Sequence, residues 1–178
     1  MITPAGGIGS FMNLFTPKAR AEGGEPVYSL TVLFDAKTQK SADFKALEAM
    51  AIQCAKDKWG DKVNLATVRM PFLDGNEKAE KYLGYEDTVY ISPWTKIRPG
   101  VVDHMAQDII DPSTVWAGQG VRVQVQPFAW TNSGKKGVSF GLLAVMIDRP
   151  DMPRLDGRVS ANKVFAGLAA AAPTDGPF

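Results

Sequence analysis

Apolar and polar positions alternate most cleanly between Val121 and Trp130: Val121, Val123 and Val125 point one way, and Arg122, Gln124, Gln126, Phe128 and Trp130 the other. A repeat of two is the signature of a β-strand. The turn-forming segment Thr131–Gly137 follows, then a second apolar run from Val138 to Ile147, so the whole predicts a long β-hairpin. Val27–Phe34 is a further strand with Tyr28, Leu30, Val32 and Phe34 on a core-facing side, and Phe11–Phe15 and Val63–Phe72 read as strands as well. Ser41 caps a helix over Ala42–Trp59, where Phe44, Leu47, Met50, Ala51 and Cys54 recur at helical spacing. Gly60 is placed to close that helix in the left-handed conformation.

Val89–Arg98 repeats the mixed character of the hairpin. Val89, Ile91 and Ile97 share one parity, and Tyr90, Ser92, Trp94, Lys96 and Arg98 the other, with Pro93 marking a bulge or an edge position. Glu77–Tyr85 reads as an insertion loop with a helical turn, and Val101–Pro112 as a short turn or helix. Asp148–Arg158 is a charged loop, and Ser160–Leu168 a last short helical piece. The glycine-rich residues 1–10 are expected to form a flexible arm, because Gly6, Gly7 and Gly9 are neither preceded by a strand nor followed by the lysine of a phosphate loop. The pattern predicts one mixed α+β domain, mainly β, over residues 1–168, and a tail over residues 169–178 with little to bury.

Charge and cysteine content narrow the chemistry. Twenty Lys and Arg against 19 Asp and Glu give a net charge of +1, which argues against clinging to duplex DNA by bulk charge but leaves room for a local basic groove. Cys54 is the single cysteine, so neither an intrachain disulfide nor a cysteine-based metal cluster can form. Its place on a helix predicts an inert, buried thiol. No run of about 18 apolar residues is available to span a membrane, and no secretory leader is recognisable, so a reducing, cytosolic setting is expected.

The outward face of the hairpin carries the functional signal. An arginine, two glutamines and two large aromatics stand in register there, with Lys135 and Lys136 at the tip. Aromatic rings give bases a stacking surface while Lys and Arg follow phosphates, which together suit single-stranded nucleic acid. A bulge near Pro127 would instead turn Phe128 and Trp130 into the core. Catalytic alternatives are weaker. His104 beside Asp103 would need Ser92 or Ser113 within reach, and Asp103, Asp108 and Asp111 fit neither one helical face nor a calcium loop, so turn-capping roles suit them better. No enzyme activity, metal or cofactor is expected.

With these blocks in place, the chain resembles the bacteriophage single-stranded DNA-binding proteins with an oligonucleotide/oligosaccharide-binding (OB) fold. The resemblance is carried by PVYSLTVLF at Pro26–Phe34, TKIRPGVVD at Thr95–Asp103 and AGQGVRVQVQPFAWTNSGKKGVSFGLLAVMI at Ala117–Ile147, followed by the glycine-containing loop Leu155–Arg158. It implies a five-stranded OB barrel with one main helix and flexible termini, and non-catalytic coating of single-stranded DNA in phage replication, recombination or repair within the cytoplasm of an infected bacterium. The matching positions implied as DNA contacts are Arg98, Arg122, Gln124, Phe128, Trp130, Lys135 and Lys136. Parity adds Tyr90, Trp94 and Lys96. Many such proteins end in an acidic run closed by an aromatic residue that recruits replication or recombination proteins; here Asp175, Pro177 and Phe178 would fill that role, with the acidic run reduced to one aspartate. An exposed edge strand could also pair two copies as a homodimer. The competing class is a virion structural or assembly protein whose aromatics are subunit contacts.

Overall fold

Strand pairing organises the molecule. The computed structural model describes residues 1–156. Its elements are β1 (Ile8–Ala19), β2 (Pro26–Phe34), α1 (Ala36–Gln39), α2 (Ala42–Trp59), β3 (Val68–Arg69), β4 (Leu73–Asp74), α3 (Asn76–Ala79), β5 (Val89–Ile91), β6 (Trp94–Thr95), β7 (Gly100–Val102), β8 (Gly120–Asn132) and β9 (Lys135–Arg149). The strands β1, β8, β9, β6 and β2 pair in that order, and β2 pairs back with β1, closing a ring. The short strands β5 and β4 extend outward from β2, while β3 and β7 join β6 along β9. Among the described residues the result is mostly β with three helices, consistent with the mixed, mainly β class predicted, although the periodicity predicts only the main helix α2.

The hairpin forms as expected, with a tighter turn. Thr131 pairs with Lys136 and Asn132 with Lys135, leaving Ser133 and Gly134 as the two turn residues at φ 49° and 78°. Two positive φ values match the twist of the flanking strands. Val121, Val123 and Val125 are fully buried, and β8 keeps its alternation through Pro127, so Phe128 and Trp130 stay on the outer face. The bulge falls on β9, where Leu143 is the extra residue between Leu142 and Ala144. It lets Leu142 and Val145 both turn inward, while Leu143 is left exposed.

Helix α2 covers the inner side. The Ser41 hydroxyl accepts the Phe44 N–H at 3.2 Å, and Phe44, Leu47, Ala51 and Ala55 are buried in one core with the hairpin valines, Leu30, Val32 and Phe34. Met50 and Cys54 pack only at its margin. Gly60 has a positive φ of 88°, but its ψ of 160° turns the chain away without the left-handed closure expected.

Several expectations are corrected. Residues 1–10 are built into the sheet and are no flexible arm: Thr3 and Val123 exchange hydrogen bonds, Thr3 N–H donating to the Val123 carbonyl at 2.8 Å and Val123 N–H donating to the Thr3 hydroxyl at 2.9 Å. Gly9 N–H donates to the Gln119 carbonyl in the same way. The free edge of β8 carries backbone groups that need partners, and this segment supplies them. Val63–Phe72 is a 3-10 turn at Leu65–Thr67 followed by the two-residue β3, because Pro71 interrupts pairing. Val89–Arg98 is split at Ser92-Pro93 into β5 and β6, and Ile97, which shares a parity with the half-buried Val89 and the buried Ile91, is 80% exposed. The loop around α3 buries Tyr85 completely against Leu33 and Tyr90. The short helical piece and the tail, including Asp175, Pro177 and Phe178, lie outside the described residues, as does the boundary at residue 168.

Candidate nucleic-acid interface

The outer face of β9 is made of small residues. Val138, Phe140 and Leu142 point into the core, so Gly137, Ser139 and Gly141 point outward. On one flank, β8 sets Trp130 opposite Gly137, Phe128 opposite Ser139 and Gln126 opposite Gly141. On the other flank, β3 sets Arg69 opposite Gly137, and β6 sets Trp94 opposite Gly141. Large side chains therefore stand on both sides of a row of small residues.

That geometry brings the predicted aromatics together. Trp94 and Phe128 meet edge to face across Gly141, with ring centroids 5.7 Å apart and planes at 82°. The Trp130 indole lies over Gly137, its ring atoms 2.2 Å from where a Cβ would sit, and its N–H donates to the Ser139 hydroxyl at 2.9 Å. All three rings are partly exposed. Beside Trp130 opens a cleft of about 190 Å3 lined by Arg20, Arg69, Ser92 and Ser139.

Arg20 and Arg69 are the residues that sequence reasoning missed. The Arg20 guanidinium lies 5.9 Å from the Trp94 ring centroid. Partial burial pushes its pKa below the usual arginine value, and the like charge of Arg69 pushes it the same way. Among the described residues neither arginine forms an ion pair. Two unneutralised guanidiniums beside exposed rings can hold an anion while a flat group stacks. Arg20 directly follows β1 and Arg69 sits in a predicted strand, but no local pattern links them.

The other predicted contacts are dispersed. Tyr90 is a correction: it is 3% exposed, packs on Tyr85 and Leu33, and has the Lys78 ammonium 4.6 Å from its ring centroid, so no base can reach it. Lys96 is exposed but ion-paired with Glu25. That contact holds the Glu25 carboxyl below the usual range, first through its hydrogen bond and then through charge. Arg98 stacks 5.4 Å from the Phe15 ring centroid. Lys135 and Lys136 are exposed at the hairpin tip, Lys136 lying 5.7 Å from the Trp59 ring centroid. Arg122 and Gln124 share the outer face of β8 with Trp130 but lie toward its far end, roughly 20–27 Å along the strand. There they line a separate, mostly apolar pocket of about 280 Å3 with Ile2, Val102 and Met146.

Groups suggestive of catalysis are occupied elsewhere. His104 is exposed and lines a pocket with Asp148 and Arg149. Asp103 accepts the N–H groups of Met105 and Gln107, and Asp111 that of Ser113, so both cap turns. Burial, and secondarily Asp57, raises the Cys54 pKa and keeps the thiol protonated. Among the described residues no cluster of three or more His, Cys, Asp or Glu is placed to hold a metal, and no helix is long and apolar enough to cross a membrane.

Comparison with known proteins bears on the family and the fold. Residues 9–175 match the family model described as the single-stranded DNA-binding protein of Enterobacter phage Enc34. Among solved structures, the chain is similar to the bacteriophage Enc34 single-stranded DNA-binding protein in complex with single-stranded DNA, at TM-score 0.70 and 24% identity over 84% of this chain and 86% of that one. A further structure of the bacteriophage Enc34 single-stranded DNA-binding protein aligns at TM-score 0.65 and 21% identity, covering 93% of this chain and 99% of that one. The fold is also similar to gp2.5, a single-stranded DNA-binding protein encoded by bacteriophage T7, at TM-score 0.59 and 14% identity, covering 90% and 97%. No curated protein sequence matches the chain.

Proposed function

The chain belongs to the family of the Enterobacter phage Enc34 single-stranded DNA-binding protein, and from that premise we propose that the groove over β9 is where it binds single-stranded DNA. The protein is a non-catalytic binder acting in phage replication, and it works stoichiometrically: bases stack on Trp94, Phe128 and Trp130 while Arg20 and Arg69 hold phosphates. The closed strand ring is, in this reading, the OB-type barrel of the family, working in the cytoplasm of the infected host. Lys135 and Lys136 at the hairpin tip, and Arg98, serve as outlying phosphate contacts.

The observation that carries the assignment of this face is the aromatic-walled floor of Gly137, Ser139 and Gly141 with two unpaired guanidiniums at its side. Such a floor admits a single strand with its bases turned to the rings. Titration with fluorescent oligonucleotides tests it. Binding should favour single strands over duplex, weaken with salt, and fall in Trp130→Ala by about 1–3 kcal/mol, roughly 5- to 150-fold in Kd. Unchanged binding by a folded Trp130→Ala protein would overturn the assignment of this face.

A further inference from the structure

β1 does not run straight along β2. Between Ser10, opposite Thr31, and Asn13, opposite Ser29, it carries Phe11 and Met12 against the single residue Leu30. This bulge sends Met12 to the main core and Phe11 to the outer side, with a φ of 46° that a bulky aromatic adopts only when its surroundings hold it there. Outside, the Phe11 ring meets Tyr82 edge-on at 4.9 Å and Tyr85 at 6.4 Å between centroids. Tyr85 is buried and donates a hydrogen bond to the Ser10 hydroxyl, which anchors the cluster. Phe11 and Tyr82 nevertheless remain 43% and 42% exposed.

A strained backbone that displays a ring to solvent does nothing for the core. Its position explains it better. Ser29 lies opposite Asn13 on one side and opposite Trp94 on the other, so the bulge and Trp94 are two strand spacings apart, about 10 Å. The surface between them carries short polar side chains, Asn13, Ser29 and Ser92, while the Thr31 hydroxyl, 3.4 Å from that of Ser92, is buried. The low floor of β9 thus continues sideways across β2 to the Phe11–Tyr82 pair.

We propose that Phe11 and Tyr82 form a second stacking platform for the same DNA strand, which leaves Trp94, crosses Ser29 and Asn13, and lays a further base on these rings. This rests on the DNA-binding reading of the β9 groove. The neighbouring charges define how the platform works. Lys78 is turned onto the Tyr90 and Tyr85 rings, and the same segment of the sequence carries four carboxylates, Glu77, Glu80, Glu86 and Asp87, against Lys78 and Lys81. The contact is therefore made through ring faces and adds affinity without adding salt dependence.

The test compares the full chain with Tyr82→Ala and Phe11→Leu, using oligothymidylates of about 4 and about 12 nucleotides, lengths at the low and high ends of what one such domain covers. Anisotropy titrations are run at several salt concentrations, with thermal melting as a check on folding. Expected for both variants is a loss of about five- to tenfold on the longer oligonucleotide, no change on the shorter one, and an unchanged salt slope. Trp130→Ala should weaken both lengths. Wild-type-like binding of the longer oligonucleotide by a folded Tyr82→Ala protein overturns the platform and leaves the β9 groove standing, as does a loss of equal size on both lengths. Should Phe11→Leu fail to fold, Tyr82→Ala decides alone, since Tyr82 lies on an exposed loop. A wild-type chain that binds neither length overturns the DNA-binding reading itself.

Discussion

Gly137 and Gly141 both look outward from β9, yet they differ in what a methyl group would meet. At Gly137 a Cβ would stand 2.2 Å from the Trp130 ring, whereas at Gly141 the nearest atoms are at 3.5 Å and 4.0 Å. Gly137→Ala should displace the indole, shift its fluorescence and weaken single-stranded DNA binding, while Gly141→Ala should leave the indole emission near wild type. Matching emission spectra for the two variants would contradict this account. Tyr85 is a second residue whose surroundings set a measurable property. Burial pushes its hydroxyl pKa above the ordinary value of 10.0, with the Ser10 and Thr31 hydroxyls and then Lys78 pulling back and Tyr90 adding a smaller push upward. The folded chain therefore keeps the proton longer than the unfolded one, so this contribution to stability is complete below about pH 10 and is lost as pH rises above it. Urea unfolding between pH 9 and 11 should fall more steeply for wild type than for Tyr85→Phe. At this scale type and parity in the sequence put Trp94, Phe128 and Trp130 on outward faces, and the structure leaves all three partly exposed. Parity misplaced Tyr90, because it says which face a residue shares and nothing about what covers that face.

Elements with a long, regular period were legible, and short ones were not. α2 and the β8–β9 hairpin occupy the positions their spacing predicts, down to the Ser41 cap and the inward valines. β3, β4, β6 and β7 have two or three residues each, too few to show a period, and exist because β9, β2 and β5 offer them backbone partners. The segment before β1 is the clearest case. Its glycines suggest mobility, but the Thr3 hydroxyl accepts the Val123 N–H within a fully buried pair of residues. Thr3→Val keeps the side-chain shape and removes that acceptor, and should cost about 1–3 kcal/mol in urea unfolding. A variant as stable as wild type would show that this segment does not hold the edge of β8.

Across the whole molecule, the net charge of +1 hides an uneven distribution. Lys96 is neutralised by Glu25, while Arg20 and Arg69 face the groove unpaired, so these two should account for much of the salt dependence of binding. Replacing either by Ala is expected to reduce the slope of log K against log salt by about 0.7, the value for one single-strand phosphate contact. Replacing Lys96 should change it less. Both tests use the same titration, and equal slopes for all three variants would remove the arginines from the interface. What the sequence by itself determined are the features with a local record: the hairpin, the main helix, the inward and outward sides of each, and the aromatic-basic character of the outward side. Which segments flank β9, that Arg20 and Arg69 share one cleft with Trp130, and that Phe11 turns outward were decided only by closure of the ring. Closure pairs backbones remote along the chain, and hydrogen-bonding groups common to every residue leave no periodic trace by which such pairings could be read in advance.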